Sequence, residues 1–530
     1  MRDFFRPGRS TTICREAMIA TSHPLATSAG LEILAAGGNA VDAALAAVAV
    51  QCVVDPLMTG LGGDCFALYA PAGGEVVALN GSGRAPGAAT VARLKELGLD
   101  REIPQTSPHA VTIPGAVAAW LKLHRRFGTL SLDRLFARAI GHAETGFAVT
   151  PRVAWDWARN AKTVEKDEGG KALFLPHGRA PLAGEVFAQP KIGQRLREVA
   201  RHGAAAFYLG ATAESLVKRL KALGGLHTVD DFAAAVDGAD FVAPIGADYQ
   251  GHRILECPPN GQGIAALLIL KILEGFDLSD GVSLADRIHL HAEATKLAYH
   301  HRDVLIGDAA AMPPGTVDSL LSEPTIAALR RRIDAARAMP PALWDEPEHK
   351  DTVYLCVVDR DGNAISFINS IFHAFGSTRV DPETGILLHS RGASFRLIEG
   401  HPNAIGPGKR PMHTIIPGMV QKNGRTVMPF GVMGGQYQAA GHAALLSGIL
   451  DRKLDIQAAI DATRSFAFGG LLEVEPTIAP DTIADLKRRG HAPAKALAPI
   501  GGAQAIWIDH AAGVLLGGSD PRKDGSALGF

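Results

Sequence analysis

Cysteine is scarce in this sequence and is not arranged in pairs. The 530 residues contain five cysteines, and no two of them form a C-x-x-C motif. An odd number without that spacing supports neither a disulfide framework nor a zinc ribbon. A surplus of charge is absent too, because 53 Lys and Arg face 54 Asp and Glu. We therefore expect no nucleic-acid partner.

Long hydrophobic runs are also lacking. The most apolar segment, AALAAVAVQCVV at 43–54, is too short to cross a bilayer and contains Gln51, so we predict a buried helix. The opening MRDFFRPGRSTTICREAMIATSHPL has no apolar core of the kind that signal peptides need. We expect no membrane partner and a cytoplasmic location.

Motifs of several common enzyme classes are missing. The glycine clusters at 60–64 and 431–436 match neither the dinucleotide-binding nor the P-loop pattern, and no G-x-S-x-G is present. His289 and Glu293 stand four residues apart, a spacing that can serve a metal, in a segment that also holds further histidines, His291, His300 and His301. Neither H-E-x-x-H nor a second acidic cluster accompanies them, so we expect a polar helix face, no metal and no cofactor.

What is present is a mixture of helix and strand patterns along the whole chain. Asn39 with Asp42 indicates a helix N-cap after Gly37-Gly38, and helices are predicted across most of 115–240 and at 284–303. After a proline-rich connector at 339–351 the pattern changes to strands. These are predicted at 352–358, 364–370, 385–389, 414–421 and 425–431, followed by helices near 436–452 and 456–463. This mixture favours helices layered on antiparallel sheets.

Thr352 stands where the connector meets the first of these strands. Its hydroxyl is a weak nucleophile unless a base lies beside it, and the residue's own α-amine can be that base. The amine exists only if the chain is cut between Asp351 and Thr352. Gly434 and Gly435 precede a predicted helix and can present consecutive backbone N–H groups to a developing oxyanion, although such a pair is also a common turn.

Eleven segments in order resemble the γ-glutamyltranspeptidase family of N-terminal-nucleophile hydrolases. They are GGNAVDAALAA (37–47), TGLGGDCF (59–66), RAP (84–86), PPNGQGIAALLILKIL (258–273), AEATKLAYHHRD (292–303), DTVYLCVVDRDGNAIS (351–366), FGS (375–377), TGILL (384–388), NAIGPGKRP (403–411), MGG (433–435) and GGSDPRKDGSALGF (517–530). Each motif is weak alone, but the ordered set is specific and covers nearly the whole chain.

The resemblance implies an αββα sandwich made as a precursor that cuts itself before Thr352. The products are a large subunit, 1–351, and a small subunit, 352–530, which stay together as one folded unit. By position, Thr352 is similar to the family's nucleophile, Ser370 to its supporting threonine, and Gly434-Gly435 to its oxyanion hole. Arg84 matches an arginine that holds the substrate carboxylate.

The chain also departs from the family pattern. Phe372 replaces an asparagine that contacts the glutamyl group, and His413-Thr414 replaces a serine pair. Arg391-Gly392-Ala393-Ser394 replaces Gln-Met-Asp-Asp, which removes the acid that pairs with the substrate ammonium. The lid segment FRLIEGHPNAIG is shorter. Burying an unpaired ammonium there costs about 2–5 kcal/mol, so these changes favour a small anionic substrate.

We therefore predict an amidohydrolase that cleaves the amide of a small carboxylate, similar to the oxamate amidohydrolase branch of the family. Two alternatives stay open: a glutathione hydrolase or γ-glutamyltransferase, and an uncleaved member that only binds a carboxylate. Whether processed heterodimers pair into a homodimer is left open.

Overall fold

The structure is a computed structural model that describes residues 8–340 and 352–530. The strands are β1 Thr12–Cys14, β2 Met18–Thr21, β3 Asp64–Ala70, β4 Val77–Gly81, β5 Phe147–Ala148, β6 Val186–Phe187, β7 Asp240–Val242, β8 Ile245–Tyr249, β9 His252–Glu256, β10 Val353–Val358, β11 Ala364–Ser370, β12 Gly418–Lys422, β13 Arg425–Met433, β14 Ser465–Phe468, β15 Leu471–Val474, β16 Pro493–Lys495, β17 Gly502–Asp509, β18 Val514–Ser519 and β19 Ala527–Gly529.

The helices alternate with these strands and are most frequent in the first two thirds of the chain. They are α1 Pro24–Ala35, α2 Ala40–Val54, α3 Val91–Glu96, α4 Ala116–Phe127, α5 Leu132–Thr145, α6 Pro151–Val164, α7 Glu168–Phe174, α8 Pro190–His202, α9 Ala205–Tyr208, α10 Gly210–Ala222, α11 Val229–Ala234, α12 Gly263–Leu273, α13 Leu284–Leu305, α14 Thr316–Leu321, α15 Glu323–Arg330, α16 Gln438–Leu450, α17 Ile456–Asp461 and α18 Pro480–Arg488. Within the two described ranges, no helix has the length and apolar character that crossing a bilayer requires.

Two seven-stranded sheets form the centre of the molecule. One has the order β1-β18-β17-β13-β12-β9-β8 and the other β19-β2-β10-β11-β3-β4-β7. Neighbouring strands in both sheets run antiparallel. Each sheet combines strands from both sides of Thr352, so the segments 1–351 and 352–530 share one architecture.

Apolar side chains bury both faces of each sheet. In β10, Tyr354 and Cys356 point into the layer between the sheets, while Val353 and Leu355 face helices such as α2. The outer face of the other sheet packs against α12, α13 and α16. This double burial explains why β10 is apolar on both faces, since successive side chains point in opposite directions. The predicted αββα order is confirmed.

Several predicted elements are confirmed with small shifts. The predicted hairpin forms as β10 and β11, with Val353 opposite Asn369 and Val358 opposite Ala364. Its turn contains Gly362 at φ 85°. Asn39 and Asp42 form a capping box at the start of α2, and the whole of α2 is buried, as its apolar sequence predicts.

One predicted strand is wrong and another begins late. Residues 385–389 form only isolated bridges, from Leu387 to Val380 and from Leu388 to Gly62, because Gly385 at φ 75° turns the chain. The strand expected from 414 begins at Gly418. The residues before it bond to other elements, since His413 N donates to Asn260 O and Ile416 N to the Gln438 side chain.

Candidate active site

Thr352 lies immediately before β10, a strand in the middle of one sheet, and only 1% of its surface is exposed. Its Oγ1 is 3.2 Å from Oγ of Ser370, the last residue of the neighbouring strand β11. Ser370 Oγ in turn accepts a hydrogen bond of 3.0 Å from Phe372 N. The structure therefore brings together the predicted nucleophile and its predicted support. Asp351, the other half of the predicted cleavage site, lies outside the described residues.

Phe372, Arg391 and Thr414 adjoin this pair in one buried group. Phe372 has φ 78°, which strains a side-chain-bearing residue by about 1–3 kcal/mol and is frequent at functional sites. The Arg391 guanidinium lies 3.8 Å from the centre of the Phe372 ring, and its NH1 donates to Thr414 Oγ1 at 3.2 Å. The buried positive charge of Arg391 is thus connected to Thr352 through Phe372 and Ser370.

Gly434 and Gly435 make a sharp turn between β13 and a 3-10 turn at Gly435–Tyr437. Their φ angles are 126° and 57°, values that side-chain-bearing residues rarely adopt. A Cβ on Gly434 would lie 2.9 Å from Gly501 Cα, so the turn has no room for a side chain there. At position 434, glycine is therefore required by both conformation and space.

Gln262 connects this glycine turn to Thr414, and the sequence pattern predicted no role for it. Its Nε2 lies 2.8 Å from Thr414 O and 3.2 Å from Gly435 O. Its Oε1 accepts from the buried Arg302, which also donates to Gln436 Oε1. The only available signal was its position in the matched segment PPNGQG.

Asp64 is a second residue that sequence reasoning missed. It is fully buried and lies opposite Ser370 in the pairing of β3 with β11. One carboxylate oxygen accepts from Gly83 N at 2.9 Å and Gly115 N at 3.1 Å. The other lies 3.1 Å from Nε2 of His413 and 3.5 Å from Nδ1 of His389.

The charge state of this cluster follows from its contacts. Burial by itself raises the pKa of Asp64, but His389 and His413 together hold that pKa well below its usual range. Burial, together with the charge of Arg391, lowers the pKa of His413 to about 3. A neutral His413 donates from Nε2 to Asp64, and its Nδ1 accepts from Ile415 N at 3.4 Å. Both ring nitrogens of His413 are therefore used within the protein.

Arg84 lies apart from these residues. Its side chain is about half exposed, NH1 donates to Gly408 O at 3.0 Å, and NH2 is 3.8 Å from Asp240. These two contacts hold Arg84 on the exposed side of the chain segment that Gly83 begins. Arg84 is connected to the buried site only indirectly. The amide of the preceding residue, Gly83, donates to Asp64, which lies opposite Ser370.

Similarity to known proteins extends over the whole chain. A profile of the family described as Gamma-glutamyltranspeptidase matches residues 26–530. The Glutathione hydrolase-like YwrD proenzyme of Bacillus subtilis is 35% identical, over 98% of this chain and 99% of that protein. The Oxamate amidohydrolase proenzyme of Klebsiella pneumoniae is 36% identical, over 98% of this chain and 100% of that protein.

Solved structures show the same relationship. The cephalosporin acylase from Bacillus halodurans superposes with a TM-score of 0.93 at 39% identity, covering 100% of this chain and 98% of that one. Profile, sequence relatives and fold therefore agree over nearly the full length. This chain belongs to the gamma-glutamyltranspeptidase family of amide-bond hydrolases.

Proposed function

We propose that this chain is the precursor of an amidohydrolase that cuts its own backbone between Asp351 and Thr352. The observation that carries the proposal is the buried Thr352 hydroxyl, 3.2 Å from Ser370 Oγ at the start of a central strand. Two similar proteins are named proenzymes, which supports a processing step. The proposed products are a large subunit, 1–351, and a small subunit, 352–530.

In the processing step, Thr352 Oγ1 attacks the carbonyl carbon of Asp351. The peptide C–N bond breaks as an ester forms on the hydroxyl, and the nitrogen becomes the free amine of Thr352. Water then hydrolyses the ester and leaves a carboxylate at 351. The released amine titrates at about 7.7–8.0 in an unperturbed chain, which suits a general base at neutral pH.

In each catalytic cycle, Thr352 Oγ1 attacks the substrate amide and passes its proton to the α-amine. The oxyanion that forms is stabilised by the N–H groups of Gly434 and Gly435, in a turn whose first residue has φ 126°, a value that favours glycine. The leaving amine takes the proton as the C–N bond breaks. Water then attacks the acyl ester, with the same amine as its base, and releases the acid.

The proposed substrate is a small carboxylate whose amide lies close to its anionic group, as in oxamate. Arg391 offers a planar guanidinium, buried and supported by Thr414 and the Phe372 ring, which suits a carboxylate. A substrate ammonium group would compete for the buried carboxylate of Asp64. That carboxylate already accepts hydrogen bonds from two backbone amides and faces two histidines. The oxamate amidohydrolase named above supports this choice.

Processing is tested with Thr352→Ala, Thr352→Ser and the wild type. The wild type should give two chains, with the smaller beginning Thr-Val-Tyr-Leu in N-terminal sequencing. Thr352→Ala should remain one chain of about 55.6 kDa, because alanine has no oxygen to attack the preceding carbonyl. Thr352→Ser, which keeps an Oγ, should still be cut. A cut elsewhere, or a processed alanine variant, would contradict the mechanism, and an intact wild type would favour a binding protein.

The second candidate function is glutathione hydrolysis, and the observation that favours it is the 31% identity to the glutathione hydrolase proenzyme of Escherichia coli over 98% of this chain. Processed wild-type enzyme should be assayed with oxamate, glutathione and γ-glutamyl-p-nitroanilide. We expect ammonia release from oxamate and little cleavage of the γ-glutamyl compounds. Efficient γ-glutamyl cleavage without activity on oxamate would establish the second candidate.

A further inference from the structure

The helix face that was expected to be polar is buried. His289 and Glu293 of α13 are both 0% exposed, and they face His491, which follows α18 and is 8% exposed. One potential ligand atom from each of the three side chains lies within 4.8 Å of the other two. The third residue is about 200 positions away in the chain, so spacing within the helix could not reveal it. We name these three residues the His-Glu-His cluster.

His289 is held in the orientation that a metal-binding imidazole requires. Its Nε2 lies 2.8 Å from Asp334 O, and because a carbonyl only accepts, Nε2 carries the hydrogen. The lone pair of its Nδ1 therefore points toward His491 Nε2, which is 2.8 Å away. Metal-bound histidines commonly donate their other ring N–H to a carbonyl in this way.

Glu293 is oriented by the same segment of backbone. One carboxylate oxygen accepts from Met339 N at 2.7 Å, and the other lies 2.7 Å from Lys296 Nζ. Lys296 also donates to Met339 O at 2.9 Å. The ammonium group thus supplies the positive charge beside Glu293 that a bound cation would otherwise supply.

We propose that the His-Glu-His cluster binds a divalent transition-metal ion, with Zn²⁺ as the expected metal. The ligand atoms are His289 Nδ1, His491 Nε2 and one oxygen of Glu293. Two imidazoles with one carboxylate suit zinc, whereas magnesium and calcium prefer sites made only of oxygen. The site lies outside the machinery around Thr352 and does not depend on the proposed substrate.

Binding requires only small local changes. Nitrogens of a tetrahedral site with Zn–N of about 2.0–2.1 Å are about 3.3 Å apart, so the two rings separate by about half an ångström. The His491 proton moves from Nε2 to Nδ1, with no net release of protons. Lys296 gives up Glu293 and keeps Met339 O. A cavity of about 80 Å³, lined in part by Lys296, Gly490 and His491, offers space for water as the fourth ligand.

The ligands are anchored to the backbone that leads toward the processing site. Asp334 O and Met339 N, the partners of His289 and Glu293, belong to the segment 334–340. Ala338 N of the same segment donates to Arg489 O, two residues before His491. A bound metal would therefore fasten the end of the described part of the large subunit to α13 and to the residues after α18.

The test is metal uptake by the processed protein. After treatment with EDTA and desalting, the wild type should take up one Zn²⁺ or Co²⁺ per chain, counted by elemental analysis, and Co²⁺ should give the visible absorption of a tetrahedral site. His491→Ala should raise the Kd for Co²⁺ at least tenfold. Glu293→Gln, which keeps the shape and one acceptor oxygen, should also weaken binding and serves if the alanine variant does not fold.

Two further variants separate a metal site from a hydrogen-bonded latch. His300→Gln changes an exposed histidine on the same helix and should bind metal like the wild type. Lys296→Met removes the competing ammonium and should tighten Co²⁺ binding, an effect that a purely structural lysine does not predict. The proposal is overturned if the wild type takes up no stoichiometric metal, or if His491→Ala and Glu293→Gln bind it as well as the wild type does.

Discussion

Arg391 brings a permanent positive charge to a position where only 1% of its surface is exposed. The resemblance to the family pattern predicts a neutral glutamine there, so we expect this charge to change what the site binds. Its NH1 reaches Thr414, and its plane lies over Phe372, a residue that itself departs from the pattern. The three side chains therefore contact one another in one buried group, which Phe372 N joins to Ser370 beside Thr352.

We expect Arg391→Gln to lower kcat/KM for oxamate about 10- to 150-fold. This corresponds to the loss of about 1.5–3 kcal/mol from a hydrogen bond to a charged group. Arg391→Lys should be impaired as well, because an ammonium cannot reproduce the two-pronged contact or the stacking on Phe372. Both variants should still be processed, which electrophoresis can verify. Normal oxamate kinetics in Arg391→Gln would place the substrate elsewhere.

The element proposed to stabilise the oxyanion is the turn from β13 into the 3-10 turn before α16. Strand β13 is paired on both sides, with β12 and β17, so the position of its end is well determined. Gly434 and Gly435 follow with positive φ angles, and the Gln262 side chain contacts the carbonyl of the second glycine. A turn held by a sheet and a buried side chain can keep its N–H groups aimed in one direction.

Gly435→Val should lower kcat about 10²–10³-fold and change KM much less, because the lost N–H contact acts in the transition state. Gly424→Val is the matched control. Gly424 also has a positive φ, 75°, but it lies in the exposed hairpin turn between β12 and β13 with no atom near its Cβ position. The control should lose stability without this loss of kcat. Equal effects on kcat would show that the glycines at 434–435 are only a turn.

At the scale of the whole molecule, strands from both proposed subunits are interleaved in both sheets. In one sheet β10 and β11 lie between β2 and β3, and in the other β12 lies beside β9. Separating 1–351 from 352–530 would break these ladders and expose the layer between the sheets. We therefore expect a cut before Thr352 to leave one folded unit, in which both chains contribute to the global stability.

Stability of the whole molecule should fall as the pH drops from about 6.5 toward 4. Burial is the largest cause of the lowered pKa values of several histidines, to about 3 or 4: His23, His227, His373 and His413. Below pH 6.5 the unfolded chain binds protons that the folded chain does not, so acid favours unfolding. We expect a marked decrease in Tm between pH 7.5 and pH 5, measured by calorimetry at a fixed scan rate.

A single variant tests this explanation. His227→Asn removes a buried imidazole that bonds to Val111 O, and it should reduce the pH dependence of stability by up to about 1.4 kcal/mol per pH unit. His300→Gln, at an exposed position, should leave the dependence unchanged. The histidine explanation fails if the Tm of the wild type is the same at pH 7.5 and pH 5.

The sequence by itself determined the features that depend on neighbours along the chain. The hairpin of β10 and β11, the capping box of α2 and the buried apolar helix all follow from local periodicity and turn residues. The ordered family motifs added the sandwich and brought Thr352, Ser370 and Gly434-Gly435 forward as candidates. The structure then placed Thr352 beside Ser370, although a catalytic role for either remains a prediction.

Only the tertiary structure decided which distant side chains meet. Asp64 and His413 are 349 positions apart and His289 and His491 are 202 apart, yet each pair is within hydrogen-bond distance. The sequence around each of these four residues does not indicate its contact, because packing between distant elements buries them together. The contacts of Arg84 also depend on the tertiary structure. A motif predicted that Arg84 binds the substrate carboxylate, whereas in the fold its side chain contacts Gly408 and Asp240. Local propensity selects elements, whereas burial of apolar faces between layers selects the polar groups that must satisfy one another.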